Sequence, residues 1–294
     1  MITKKNYMIM EELFVFKSRF IKFITVALLV ALVAALTLTG CSSNSTKTDS
    51  SAVASPATPK KIIIGTGNAF KPYCYLDDKG NPIGYEYEVL TEVNKRLPQY
   101  KFEFQTMEFK NVLLSLGDGK VDIGAHQFEK NPDREQKYLF SQESYTTFIL
   151  RIAVKKDRTD ISSLKDLEGK TVQVGEGSND AYVVEKYNKE NGNKIKLVYT
   201  AATDPVMTIK NLEDGRIDAF ISIKRIVDSY NQTYGDKLKT VGDPIASSST
   251  YYLFRKQDTQ LQADIDKTIK AMKADGTLSK ISIKVLGGDY TTTD

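Results

Sequence analysis

Arg134 stands just past an Asn-Pro turn, in "HQFEKNPDREQKYLFS". A planar guanidinium can give two parallel hydrogen bonds to a carboxylate, a geometry that lysine cannot match. A lone arginine on a short helix is more often only solvated, so its use depends on what the rest of the chain brings to it. The same stretch holds the only histidine, His126, at the end of an expected strand. With it lie Gln127 and Glu129, a polar and an acidic side chain. A second stretch, "VGEGSND", ends a strand in two glycines and places Ser178 as an N-cap. The amides of the first helical turn, from Asn179 and Asp180 onward, would then form an anion site at the positive end of a helix. Ordinary capping by Ser178 is compatible with that, since an anion can share those amides with the cap.

Other chemistries lack their parts. With Cys41 set aside as a candidate for lipidation, one histidine and one thiol, Cys74, cannot build the usual zinc site of three or four such ligands. No Ser/His/Asp or Cys/His set can be assembled, and no cofactor is implied. His126 could serve as a base, although a pocket-wall or structural place suits it better. Basic side chains form no stripe interleaved with aromatics, so nucleic acid is not an expected partner.

The elements that must position these residues alternate between strand and helix patterns. "KIIIGTG" reads as a buried strand ending in glycines, and "DDKGNP" as a turn. "YEYEVLTEVNKRLP" carries Leu90, Val93 and Leu97 at helical spacing until Pro98 stops it. "KFEFQ" alternates like a strand. "NVLLSLGDGKVDIGAH" reads as helix, glycine stop and strand. A second series comes after it: "SLKDLEGKTVQVGEGS", a helix over "NDAYVVEKYNKENG", a strand "KIKLVY", and a helix with Asp204 as N-cap and Pro205 in its first turn. "SLGDGKVDIGA" at 115–125 is matched by "NLEDGRIDAFI" at 211–221, which indicates two similarly built lobes. Strands separated by helices imply an α/β fold, with a mostly parallel sheet flanked by helices in each lobe. "TTFILRIAVKK" and "SSSTYYLFRK" flank the second lobe, and the helical pair after them is expected to return to the first. The expected division is 60–150 plus 250–294 for lobe 1 and 151–249 for lobe 2. Two crossings would make a hinge.

The chain begins with Lys4, Lys5, Lys17, Arg19 and Lys22 ahead of the apolar run "FITVALLVALVAALTLTG". This is the layout of a secretory signal, assigned here to residues 1–40. The first forty residues hold five Lys/Arg and two Asp/Glu of the chain's 41 and 37, so 36 and 35 remain and the rest is nearly neutral. "LTGC" resembles a bacterial lipobox, with Cys41 as the lipidated residue. Residues 41–59 lack apolar periodicity and read as a disordered tether.

Taken together, "IIIGTGNAFKPYCYLDDKGNPIGYEYEV", "NPDREQKYLFS", "SLKDLEGKTVQVGEGS", "GRIDA" and "KADGTLSKI" resemble the extracellular solute-binding proteins of family 3, over residues 60–287. "AHQFEKNPDR" and "NAFKPYCYLD" look most like the cystine-binding members. The resemblance implies a two-lobed periplasmic-binding-protein-like (type II) fold with the ligand cleft between lobes. It implies a monomer, lipid-anchored at the extracytoplasmic face of the membrane, that delivers a polar amino acid such as L-cystine to an ABC permease and its ATPase. It assigns the ligand α-carboxylate to Arg134, and further contacts to Ser178 and Asn179. Phe70 and Phe109 match positions that flank the ligand side chain, although Phe109 could equally be core. Gln127 and Glu129 align with short polar contacts, with Glu129 standing where Ser or Thr is usual. Many relatives hold the ligand ammonium with an acid where this chain has Ile223, which leaves Asp180, Glu129 and Asp204 as candidates. An enzyme on the same fold, such as a dehydratase, would need His126 or Glu129 placed over the substrate.

Overall fold

The structure, a computed structural model, describes residues 58–201 and 204–292. The expected signal, Cys41 and the tether up to residue 57 lie outside the described residues.

The chain enters on β1 (Lys60–Gly67), where Ile62 and Ile64 point into the core. A small antiparallel sheet comes next: β2 (Ala69–Phe70), β3 (Cys74–Leu76) and β4 (Pro82–Ile83). Its turn is held by Asp77, whose Oδ1 accepts the amides of Lys79 at 2.9 Å and Asn81 at 2.8 Å. The helix α1 (Tyr85–Arg96) buries Val89, Leu90 and Val93, each worth roughly 1.5–3 kcal/mol. Asn94 ties it to β5 (Tyr100–Met107) by donating to the Tyr100 carbonyl at 2.8 Å and accepting the Phe102 amide at 3.1 Å. Beyond β5 lie α2 (Phe109–Gly117), β6 (Ile123–Glu129), α3 (Pro132–Lys137), β7 (Leu139–Phe140) and β8 (Thr146–Lys155).

A 3₁₀ turn at Lys165–Leu167 leads to β9 (Thr171–Gly175), α4 (Asn179–Glu190), β10 (Lys196–Thr200), α5 (Pro205–Glu213), β11 (Ala219–Ile223) and α6 (Lys224–Tyr234). The long β12 (Leu238–Phe254) then precedes α7 (Thr259–Ala274) and α8 (Thr277–Leu286).

One sheet runs β10-β9-β11-β8-β12-β6-β1-β5, with β7 also paired to β12. The outer triplets β5-β1-β6 and β10-β9-β11 are parallel, whereas β8 and β12 run antiparallel to their neighbours in the middle. β12 pairs with β8 from Leu238 to Thr250 and with β6 from Thr250 to Phe254, so it links the two halves of the sheet. The boundaries expected at 150/151 and 249/250 fall inside these two strands. The helices α7 and α8 return to the first half: Tyr100 donates to Asp264 at 2.7 Å, and Arg96 to Asp275 at 2.7 Å. Three features escaped the sequence reading, the β2–β4 sheet, β7 and α6.

The repeated motif is built twice with the same bonds. Asp118 and Asp214 close α2 and α5, and Gly119 and Gly215 take left-handed φ values of 72° and 69°. The aspartate three residues later, Asp122 or Asp218 by this pattern, accepts an amide from the neighbouring strand at 2.8 Å, from Ile63 or Thr171.

Candidate functional site

A cavity of about 160 Å³ opens between the two halves of the sheet. Its lining comes from segments at or just past the carboxyl ends of β1, β6, β9, β10 and β11, where α/β sheets bind ligands. The structure brings Phe70, Phe109, His126, Gln127, Glu129, Arg134, Ser178, Asn179 and Asp180 to this one cavity.

Arg134 is set there by α3. Asn131 caps that helix by accepting the Arg134 amide at 3.0 Å, and Pro132 occupies the first turn. The side chain is 6% exposed. Its Nη1 donates to the Glu129 carbonyl and its Nη2 to the Gly177 carbonyl, each at 3.0 Å. The second bond crosses the cavity, from one half of the sheet to the other. The guanidinium carbon lies 5.3 Å from the Phe128 ring centre. A guanidinium carries five N–H donors, so these two bonds leave donors for a further acceptor.

The facing wall is the N-terminus of α4. The Ser178 hydroxyl accepts the Ala181 amide at 3.2 Å and donates to the Gly175 carbonyl at 2.6 Å. Asp180 accepts the Gly175 amide at 3.2 Å, which fixes the glycine turn ahead of the helix. Asn131 donates to the Asn179 side chain at 3.3 Å, a second bond across the cavity. At the rim Lys110 and Glu176 form an ion pair at 3.6 Å.

Three acids line the same space, the exposed Glu108 and the more enclosed Glu129 and Asp180. Glu129 is 3% exposed and accepts a hydrogen bond from Ser248. Burial pushes its carboxyl up to about 7, against the opposing effects of Ser248 and Arg134. Burial also raises Asp180 and lowers Arg134, whose charge Glu129 and Asp180 support. The cavity therefore offers donors for an anion beside acceptors for a cation, the pair of features that a small zwitterion needs.

His126 lies within β6 rather than at its end, because the strand continues to Glu129. It stacks on Phe70 at 5.2 Å and meets the edge of Phe109 at 4.7 Å. Burial holds its imidazole down to about 4, so it is uncharged at neutral pH. A Cβ at Gly67 would come 2.4 Å from the imidazole, which accounts for the glycine at the end of β1. Phe109 also stacks on Phe128 at 5.6 Å, so it is both wall and core. Gln127 spends its amide inside the protein, donating to Glu86 at 2.9 Å and accepting from Thr250 at 3.3 Å.

Asp204 is not brought to the cavity: it is exposed and caps α5, accepting the amides of Val206 and Met207. Ile223 is 2% exposed and caps α6, so its neighbour Ser222 lines the cavity instead. The sequence reading missed Ser248, Gln173 and Phe148, which no local pattern marks. It also missed Glu86, whose signal was present: an acid on the helical stripe of Val89, Leu90 and Val93.

The model of the bacterial extracellular solute-binding proteins, family 3, matches residues 62–288. The L-cystine-binding protein TcyK of Bacillus subtilis is 40% identical, over 90% of this chain and 96% of its own length. The L-cystine-binding protein TcyJ of the same organism is 42% identical, over 86% and 91%. Among solved structures, a putative L-cystine ABC transporter protein from Listeria monocytogenes is 42% identical with a TM-score of 0.75, covering 79% of this chain and 98% of that one. A Streptococcus mutans chain from work on glutathione import via GshT and the cystine importer TcyBC is 31% identical with a TM-score of 0.73, covering 79% and 97%.

Proposed function

The chain belongs to the bacterial extracellular solute-binding proteins, family 3, and from that premise we propose that it is the L-cystine-binding component of an ABC importer. The observation that carries this reading is Arg134, buried in one cavity with the N-terminus of α4, Glu129 and Asp180. Arg134 takes a ligand carboxylate through its spare donors, and the first-turn amides beside Ser178 and Asn179 complete the anion site. The ammonium goes toward Glu129 and Asp180. Phe70 and Phe109 flank the side chain, with His126 as wall.

Residues 60–150 with 250–294 and residues 151–249 act as two lobes. Bonds that exist only across the cavity, such as Arg134 to Gly177, favour the closed state. The closed form is what the permease and its ATPase receive. The ligand is carried unchanged rather than turned over. An uncharged His126 packed between aromatic rings supports a wall rather than a base.

Cys41 after "LTG" supports lipid attachment, and two or more acyl chains give a stable anchor. Labelled palmitate incorporated by wild type and not by Cys41→Ala checks this. The binding test is mass spectrometry of the co-purified small molecule, then a thermal-shift panel of cystine, cysteine, arginine, histidine and glutamine. A true ligand at a hundredfold excess over its Kd adds about 2.7 kcal/mol. Absence of any shift with cystine, alongside a shift with another amino acid, would reassign the ligand and keep the transport role.

A further inference from the structure

The wall of the cavity that carries His126, Gln127 and Glu129 is not a regular strand. Side chains alternate along a strand, so His126 and Gln127 should face opposite ways. Both line the cavity, as does Glu129. The cause is visible in the ladder. Phe128 pairs with Tyr251 and Gly124 with Leu253, so three residues of β6 oppose the single Tyr252. The excess is taken up at Gln127, whose φ is +51°, a left-handed conformation that an L side chain with a Cβ rarely adopts.

Something must hold that conformation, and the bonds converge on Glu86 from α1. Its Oε1 accepts the Gln127 amide at 2.9 Å, the Gln127 side-chain Nε2 at 2.9 Å and the Tyr145 hydroxyl at 2.7 Å. Glu86 is fully buried, and its Oε2 makes no well-formed hydrogen bond, with the Tyr252 hydroxyl the donor that acts on the carboxyl from nearby. An apolar side chain would avoid the cost of that poorly paired oxygen, so the three donors at Oε1 are what the acid serves. The titratable groups around it are Tyr73, Tyr85, Tyr87, Tyr145, Tyr252 and Cys74, all raised by burial and so uncharged. Glu86 does not line the cavity.

We infer that Glu86 is a positioning residue: from inside the core it clamps Gln127 in the left-handed turn and so shapes the cavity wall without touching the ligand. Its expected effect on affinity rests on the proposed binding of an amino acid; its effect on the turn does not.

The test compares wild type with E86Q and E86L by calorimetric titration with L-cystine. It also tracks hydrogen exchange at the Gln127 amide, which needs no ligand. Glutamine keeps an acceptor for Gln127, so E86Q should bind within about threefold of wild type, while E86L should bind at least about thirtyfold more weakly. The Gln127 amide should exchange faster in E86L only. Glycine takes a φ near +51° without strain, so E86L/Q127G should recover affinity to within about tenfold of wild type. Equal protection of Gln127 in wild type and E86L would overturn the inference, whatever the ligand proves to be. If E86L does not fold, a folded E86L/Q127G supports the clamp and an unfolded one overturns it. Wild type that ignores cystine removes the assignment of cystine as ligand and leaves the clamp to be judged by the exchange of the Gln127 amide.

Discussion

The turns at 115–125 and 211–221 share a backbone and differ in the segments they lead into. In both, the amide of the aspartate before the strand donates at 2.7 Å to the neighbouring strand, Asp122 to Ile63 and Asp218 to Thr171. Each aspartate also pairs with an arginine, Asp122 with Arg255 at 2.8 Å and Asp218 with Arg158 at 2.9 Å. Beyond the strands the copies part. β6 bulges at Gln127 and leads through Asn131 to Arg134. β11 ends at the buried Ile223 and turns straight into α6. One frame thus serves twice, and the guanidinium is mounted on only one copy. The second half offers a helix N-terminus instead.

The largest effect should come from removing what the first copy alone carries. Arg134→Ala should weaken cystine binding by more than about a hundredfold, about 2.7 kcal/mol, in a calorimetric titration. The far-ultraviolet circular dichroism should stay that of the wild type, because the core clusters do not include Arg134. Arg134→Lys should restore little, since an ammonium cannot give two parallel bonds. Unchanged affinity in Arg134→Ala would dissolve the distinction between the copies.

The shared frame can be tested by its stability. Asp122→Ala and Asp218→Ala each strand a backbone amide, while the arginines keep a second acid, Asp258 for Arg255 and Asp160 for Arg158, so each should cost roughly 1–3 kcal/mol in urea unfolding. Only Asp122→Ala should also weaken cystine binding, because it anchors the start of β6. Equal losses of affinity would mean that both strands shape the ligand site alike.

The frame was legible in sequence because it is local. Gly119, Gly215 and the aspartates after them stand in one short pattern, and each residue's task is set by near neighbours. Ser178 was legible as a cap for the same reason, through its Gly-Ser turn, whereas Arg134 was singled out through the resemblance to the family rather than through its Asn-Pro start. The bulge was not, because it depends on Glu86 from 41 positions away and on Tyr252 across the ladder. The assignment of His126 to a strand end failed on that same bulge: the strand resumes past it. The small β2–β4 sheet was missed because strands of two or three residues carry no period.

The buried acids make the first half sensitive to pH. Burial raises Glu86 and Glu129 from the ordinary 4.5 to about 7. The folded chain then holds protons that the unfolded chain releases, so their contribution is full below 4.5 and lost as pH rises through 7. E86Q cannot titrate at this position. Wild type should therefore lose stability relative to E86Q between pH 4.5 and about 7, by up to on the order of 1 kcal/mol per pH unit, and level off above that. Glu129 and the depressed His126 are present in both proteins and cancel. A pH-independent difference between the two melting curves would mean that Glu86 is not protonated in the fold.

The smallest effect should come from the second half's contribution. Ser178→Ala removes the acceptor for the Ala181 amide and the donor to the Gly175 carbonyl. Losing such a cap costs about 1 kcal/mol of stability. The amides of Asn179 and Asp180 stay in place, so cystine affinity should fall only about three- to tenfold. This variant sharpens the comparison from the weaker side. If it costs as much affinity as Arg134→Ala, the hydroxyl itself holds the ligand and the two walls contribute equally. If affinity is untouched while stability falls, Ser178 is a cap alone, and the anion site belongs to the guanidinium with whatever amides remain beside it.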